Sequence, residues 1–221
     1  MTASTKAKIL ILLKRNGGHS VAELASELNL APITVRQQIT RLERDGLLVA
    51  EQRASPSGRP HYVFRLTEKA RASAFPQRTD RIVEILVREI GALEGGELEG
   101  RSSEEKTCLV LQRVAQRLAS EYAPLLESWP LHERVSFVTE VMHAEGGLAE
   151  WEKTDAGFEI RDFNCLFHRL LNQGGSSRIC EWHQYFLRHT LAADVRPLPC
   201  SDTVGECCRF IVIEPVEAGA G

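Results

Sequence analysis

The chain has no apolar run long enough to cross a membrane. Its longest, Ile9 to Leu13, is five residues, and a helical span needs about 20. Met1 to Lys8 lacks the charged-then-apolar order of a secretory signal. Nucleophile elbow, phosphate-cradling glycine loop and H-E-x-x-H helix are all missing, so no motif points to a hydrolase, a nucleotide enzyme or a zinc protease. Glu133, Glu140 and Glu145 read as helix-surface carboxylates, and the expectation is a protein that is not an enzyme. There are six cysteines but no C-x-x-C pair, which sets the chain apart from zinc ribbons and thioredoxin-like redox motifs. Internal repeats and low-complexity segments are also lacking.

What is present is a globular composition, 43% hydrophobic and 26% charged over 221 residues, enough for one large or two ordinary domains. Cysteines without a secretory signal suit a reducing cytoplasm, where thiols serve as ligands or reactive groups. Charge is unevenly placed. Residues 1–75 hold twelve Lys and Arg against six Asp and Glu, and the remainder holds fifteen against twenty-four. A basic segment on an acidic body suggests an anionic partner held at one end.

The first 75 residues carry the clearest pattern. Good helix formers over 5–15 end at Gly17-Gly18. Ser20 with Glu23 makes a capping box, and Val21, Leu24, Ala25 and Leu28 share one face. After Asn29-Leu30-Ala31, Pro32 opens a third helix that Gly46 stops. Leu47–Arg53 and His61–Leu66 then read as a hairpin with a Ser/Pro/Gly tip. Thr67 caps a short helix toward Ala74. Two helices, a tight turn and a hairpin make a winged helix-turn-helix. On the third helix Val35, Ile39 and Leu42 face inward, and Thr34, Gln37, Gln38 and Arg41 face outward. Gln suits adenine and Arg suits guanine. Arg36, Arg44 and the wing-tip Arg59 can reach phosphates or the minor groove. The expected partner is double-stranded DNA with a two-fold operator, bound by a homodimer.

From Pro76 the pattern is helical. Ile82, Ile85, Leu86, Ile90 and Leu93 form one face, Cys108, Leu111, Ala115, Leu118 and Tyr122 a second, and Leu131, Val135, Val138 and Met142 a third, closed by Gly146-Gly147. A hairpin is expected over Leu148–Lys153 and Phe158–Phe163, then a short helix near 166–172, a longer one from about Ser177 to Leu191, and a last strand, Cys208–Ile213. The fold class is α+β, with a winged helix at 1–75, a helical linker or dimerisation region at 76–145 and a cysteine-rich sensor domain at 146–221.

Five of the six cysteines lie between 165 and 208. Thiolates gathered in one fold can hold a soft metal or an iron–sulfur cluster, although cysteine is also a common small core residue. Cys165 follows a strand, Cys180 lies in a first helical turn, Cys200 sits among prolines and Cys208 starts the last strand. If that strand pairs beside the strand ending at Phe163, Cys165 and Cys208 meet. His183, one turn after Cys180, is a candidate fourth ligand, though alone it reads first as an ordinary partly buried histidine. Cys207 faces away from Cys208, and Cys108 reads as core.

The order of parts resembles a known family. Ala31-Pro32-Ile33-Thr34-Val35-Arg36 through Gly46-Leu47, the wing tip Gly58-Arg59-Pro60, Glu145-Gly146-Gly147-Leu148-Ala149-Glu150, and the late pattern Asn164-Cys165, Cys180-Glu181, Cys208-Arg209-Phe210 look like SufR-type repressors. These are iron–sulfur-responsive regulators of cluster-assembly operons with a DeoR/ArsR-like DNA-binding head. The resemblance implies a cluster, expected as [4Fe–4S], on Cys165, Cys180 and Cys208, with Cys200 matching a fourth cysteine less closely. The chain departs from the family in a longer Cys165–Cys180 gap, in Leu166 where Pro is usual, and in the extra Cys207. A zinc or divalent-metal sensor, a thiol redox switch and a small-molecule regulator with core cysteines remain open alternatives.

Overall fold

A computed structural model describes residues 4–53, 60–75, 79–165, 181–199 and 207–214. Arg59, Cys180, Cys200, the expected helix at 166–172 and the chain end after 214 lie outside the described residues. The chain forms two compact units, the first including residues 1–76 and the second residues 77–199 and 208–221.

The first unit holds α1 (Thr5–Asn16), α2 (Val21–Leu28), α3 (Pro32–Arg44), the hairpin β1 (Leu48–Arg53) and β2 (His61–Leu66), and α4 (Glu68–Ser73). Its ends are fixed locally. Ser20 accepts from the Glu23 amide while the Glu23 carboxylate accepts from the Ser20 amide. These bonds also lower the Glu23 pKa. Asn29 ends α2 in the left-handed region at φ 52°, a conformation asparagine tolerates. Gly46, at φ 71°, turns the chain out of α3. Ile9, Leu13, Leu24, Val35, Ile39 and Leu42 are all buried to within 1%, each contributing about 1.5–3 kcal/mol. A bridge from His19 to Phe64 ties the turn before α2 to the wing.

The second unit begins with α5 (Asp80–Gly91), a single turn α6 (Gly95–Leu98), α7 (Ser103–Leu126) and α8 (Leu131–Ala144). It continues with β3 (Ala149–Thr154) and β4 (Gly157–Asp162), then α9 (Glu181–Leu191), β5 (Asp194–Leu198) and β6 (Cys208–Ile213). The sheet is antiparallel, in the order β3-β4-β6-β5. One core joins helices and sheet: Val114, Ala115 and Leu118 of α7, Val135 and Val138 of α8, Phe186, Leu187 and Leu191 of α9, and Phe158, Ile160, Phe210 and Val212 of the sheet. The helices of 76–145 and the strands of 146–221 therefore share a single hydrophobic interior. Among the described residues no helix is long and apolar enough to cross a membrane.

The α+β architecture stands, with four local differences. Strand β5 was not expected, because Pro197 demotes an alternating run; among the described residues it is an edge strand bonded only to β6, a place that tolerates proline. Helix α7 continues past Tyr122 to Leu126 with Pro124 inside it, and the burial of Leu126 offsets the hydrogen bond that Pro124 cannot make. Ile90, assigned to the buried face of α5, is exposed together with Val83 and Val87. Cys108 is half-buried rather than core, with Sγ 3.7 Å from Glu181 Oε2.

The sheet face away from the helices is charged. Arg209 donates Nε and Nη2 to the two oxygens of Glu159 at 2.8 and 3.1 Å, and Arg161 bridges Glu150, Glu152 and Glu159. The Arg209 hydrogen bonds hold the Glu159 pKa below its ordinary 4.5, against the opposing effect of burial. A depressed folded pKa adds stability above the unfolded value that is lost as pH falls through the folded one. Glu159→Gln is therefore expected to lower stability at neutral pH and to flatten the loss of stability below about pH 4.5. Denaturant unfolding from pH 7 to pH 3 checks this; parallel pH profiles for both proteins would refute it.

Candidate functional site

Two sites emerge, one in each unit. In the first unit α3 presents two faces. Val35, Ile39 and Leu42 are buried against α1 and α2, while Arg36, Gln37, Arg41 and Arg44 are exposed and Thr34 and Gln38 half-buried. Pro32 at the first helical position pre-sets the backbone, with no side-chain cap before it. The helix-turn-helix thus turns a polar, basic face outward. Two apolar side chains of this unit are also exposed: Ile33 at the start of α3, to 62%, and Tyr62 on β2, to 59%. An apolar residue breaking a polar run beside the turn was the available signal. Arg59, assigned to the wing tip, lies outside the described residues.

The second site sits at one end of the four-stranded sheet. Along β4, Phe158, Ile160 and Asp162 alternate onto the helix-covered face, and along β6 Val212, Phe210 and Cys208 do the same. Asp162 and Cys208 are register partners. The hydrophobic layer thus ends in a carboxylate and a thiol. Above them lies α9, whose buried face carries His183, Phe186, Leu187 and Thr190 at helical spacing. Three residues after β4 ends, Cys165 closes the set.

Cys165, His183 and Cys208 bring one sulfur or ring-nitrogen atom each to within 4.8 Å of one another. Cys165 Sγ is 3.8 Å from His183 Nδ1. Cys165 and His183 are buried and Cys208 is partly buried. The imidazole stacks on Trp182, with centroids 4.5 Å apart, and meets the Phe210 ring edge-on at 5.7 Å. Its second nitrogen, Nε2, lies 3.4 Å from Asp162 Oδ2. The ring is held by Trp182 on one face and by the Phe210 contact, and is approached from both nitrogens.

Cys165 is positioned by the turn after α8. Asn164 donates its amide to the Gly147 carbonyl and to Asp162 Oδ1, each at 2.9 Å, and its Nδ2 to the Gly146 carbonyl at 2.7 Å. A side chain at residue 147 would lie 2.9 Å from the Met142 carbonyl and 3.1 Å from Asp162 Oδ1, so glycine is needed for the approach. From the residues themselves, Gly146-Gly147 reads as a helix stop and Asn164 enters only through the family resemblance, while Asp162 is passed over. Their signal was Asp-x-Asn directly before a cysteine.

The structure brings Cys165 and Cys208 together as the strand pairing allowed, and it adds His183. Cys180 and Cys200 lie outside the described residues. Cys207 is buried but is not a member of the group. Two sulfurs and an imidazole, screened from water, are a soft donor set suited to zinc, iron or an iron–sulfur group. This buried group can hold a metal ion or cluster.

No curated protein matches the chain. Residues 4–49 match the family model described as winged helix-turn-helix DNA-binding. That match spans α1, α2, α3 and the start of β1, the elements that carry the exposed basic face. This part of the chain is a winged helix-turn-helix DNA-binding domain.

Proposed function

We propose that the protein is a transcriptional repressor, not an enzyme, whose operator affinity depends on a metal centre in its second unit. It acts in the cytoplasm, as a homodimer on a two-fold operator. The observation that carries this reading is one chain holding a DNA-binding domain and a buried Cys165–His183–Cys208 group. The centre is an iron–sulfur cluster, expected as [4Fe–4S], and the regulated genes are those of cluster assembly. The likeness to SufR-type repressors supports this, with Cys180, three residues before His183, as a third thiolate and Cys200 as a further one. Such a cluster supplies a redox- and iron-sensitive link between distant parts of the chain. Here the end of β4, the start of α9 and the start of β6 are what it would join. Coupling of about 1–3 kcal/mol between centre and operator changes DNA affinity roughly five- to 150-fold.

A single zinc ion is the second reading, favoured by the nitrogen donor and the close spacing. Ligand atoms around tetrahedral zinc stand roughly 3.3–3.8 Å apart for bonds of about 2.0–2.3 Å, and Cys165 Sγ and His183 Nδ1 are at 3.8 Å.

Anaerobic purification separates the two readings. Iron with acid-labile sulfide in a brown protein supports the cluster, and stoichiometric zinc without colour supports the ion. A protein with neither refutes a metal centre and leaves a thiol switch. Cys165→Ser and Cys208→Ser should each lose the centre, because a hydroxyl replaces a soft thiolate. Cys108→Ser should keep it.

On the DNA side, Arg36, Gln37, Gln38, Thr34 and Arg41 meet the major groove, Ile33 packs on a thymine methyl, and Arg59 and Tyr62 serve the wing contact. Arg41→Ala is expected to weaken operator binding by about 1–3 kcal/mol and to relax base preference at one position. Arg59→Ala should weaken binding evenly across sequences. Fluorescence anisotropy on operator and scrambled duplexes checks both, and unchanged binding in both variants would remove this docking mode.

A further inference from the structure

Asp162 is an acidic side chain 2% exposed, at the inner end of β4 where its neighbours on the same face are Ile160 and Phe158. Leaving a carboxylate in such a place costs several kcal/mol unless it is well partnered. Its oxygens are divided between two tasks. Oδ1 accepts the Asn164 backbone amide at 2.9 Å, and Oδ2 faces His183 Nε2 at 3.4 Å. That second approach is longer than an ordinary hydrogen bond and within ion-pair range. The side chains of His183 and Asp162 are 5% and 3% exposed, so water does not compete for either.

On the opposite edge of the ring, Nδ1 faces Cys165 Sγ at 3.8 Å, with Cys208 completing the group. A neutral imidazole carries one N–H and one lone pair. With the N–H on Nε2, on the side of the carboxylate, the lone pair is left on Nδ1, which faces Cys165 Sγ. Metal-bound histidines ordinarily give their other ring N–H to a carboxylate or carbonyl, which fixes tautomer and ring direction. Rotation about the ring axis is opposed by Trp182 on one face and by Phe210 at the side. The turn at Gly147 in turn holds Asp162, since its missing Cβ makes room for Oδ1.

We infer that His183 is a nitrogen ligand of the centre through Nδ1 and that Asp162 is the positioning residue that presents it, so the centre is a mixed nitrogen–sulfur one. This rests on the metal-centre reading above and specifies its ligand set. Asp162 does not touch the metal; it acts through the imidazole.

Cobalt(II) added to metal-free full-length protein tests this. Cobalt bound through Nδ1 leaves two sharp, strongly shifted ring signals in the proton NMR spectrum, from Nε2–H and Cδ2–H, and the first disappears in heavy water. Binding through Nε2 broadens Cδ2–H, and an unligated ring gives no such signals. The wild type should show the Nδ1 pattern together with thiolate-to-cobalt absorption. His183→Ala should keep that absorption and lose both ring signals. Asp162→Asn should keep the absorption, shift or lose the Nε2–H signal, and bind cobalt about 10–100-fold more weakly. If Asp162→Asn does not fold, the wild-type and His183→Ala spectra decide the ligand by themselves, and Asp162→Glu takes the place of Asn. Thiolate absorption without ring signals in the wild type overturns the inference but leaves the centre. Wild-type affinity and an unmoved Nε2–H in the Asp162 variant overturn the positioning role. No cobalt absorption in the wild type, or absorption unchanged by Cys165→Ser and Cys208→Ser, overturns the centre itself.

Discussion

The pairing of β4 with β6 is the constraint on which the second unit depends. Its register sets Phe158 opposite Val212, Ile160 opposite Phe210 and Asp162 opposite Cys208. Because side chains alternate strictly along a strand, a slip of β6 by one residue would turn its three side chains, Val212, Phe210 and Cys208, to the wrong face. The apolar pairs specify the register through burial, and the polar pair at the end inherits it. The interior therefore supplies the accuracy with which the candidate centre is built. The charged lattice of Glu159, Arg161 and Arg209 on the other face reinforces the same register, since a one-residue slip of β6 would turn Arg209 away from Glu159 and toward the core.

Much of the fold was legible because local signals agreed with tertiary packing. Capping residues, Pro32 and Gly46 bounded the helices of the DNA-binding domain, and the inner and outer faces of α3 followed from helical spacing alone. The β3–β4 hairpin and β6 were visible as alternation. Strand β5 was hidden by Pro197, whose acceptability depends on an edge position that only the sheet order reveals. The exposure of Ile90 was hidden for a related reason: α5 has more apolar surface than its neighbours cover.

The candidate centre was half legible. Cys165 and Cys208 could be joined by one guess about strand order, because each lies at the end of a recognisable strand. His183 could not be separated from an ordinary buried histidine, since its distinguishing features are partners distant in sequence: Asp162, Phe210 and Cys165. Asp162 was unreadable for the same reason. On paper it is one of 30 acidic residues, and only the register shows that it occupies a position where a hydrophobic side chain would be expected. The Gly146-Gly147 pair carried two jobs, helix termination and close approach to Asp162, and the first concealed the second.

The sheet order also has a consequence for biosynthesis. β6 lies between β4 and β5, yet it is made after both. While the ribosome is still synthesising the chain up to residue 207, β5 lacks its partner β6 and Cys165 waits without Cys208. The pocket for a metal is thus closed by the last described strand to emerge. Loading would follow translation of that strand rather than accompany the chain growing toward it, at a stage when the DNA-binding domain has already been made.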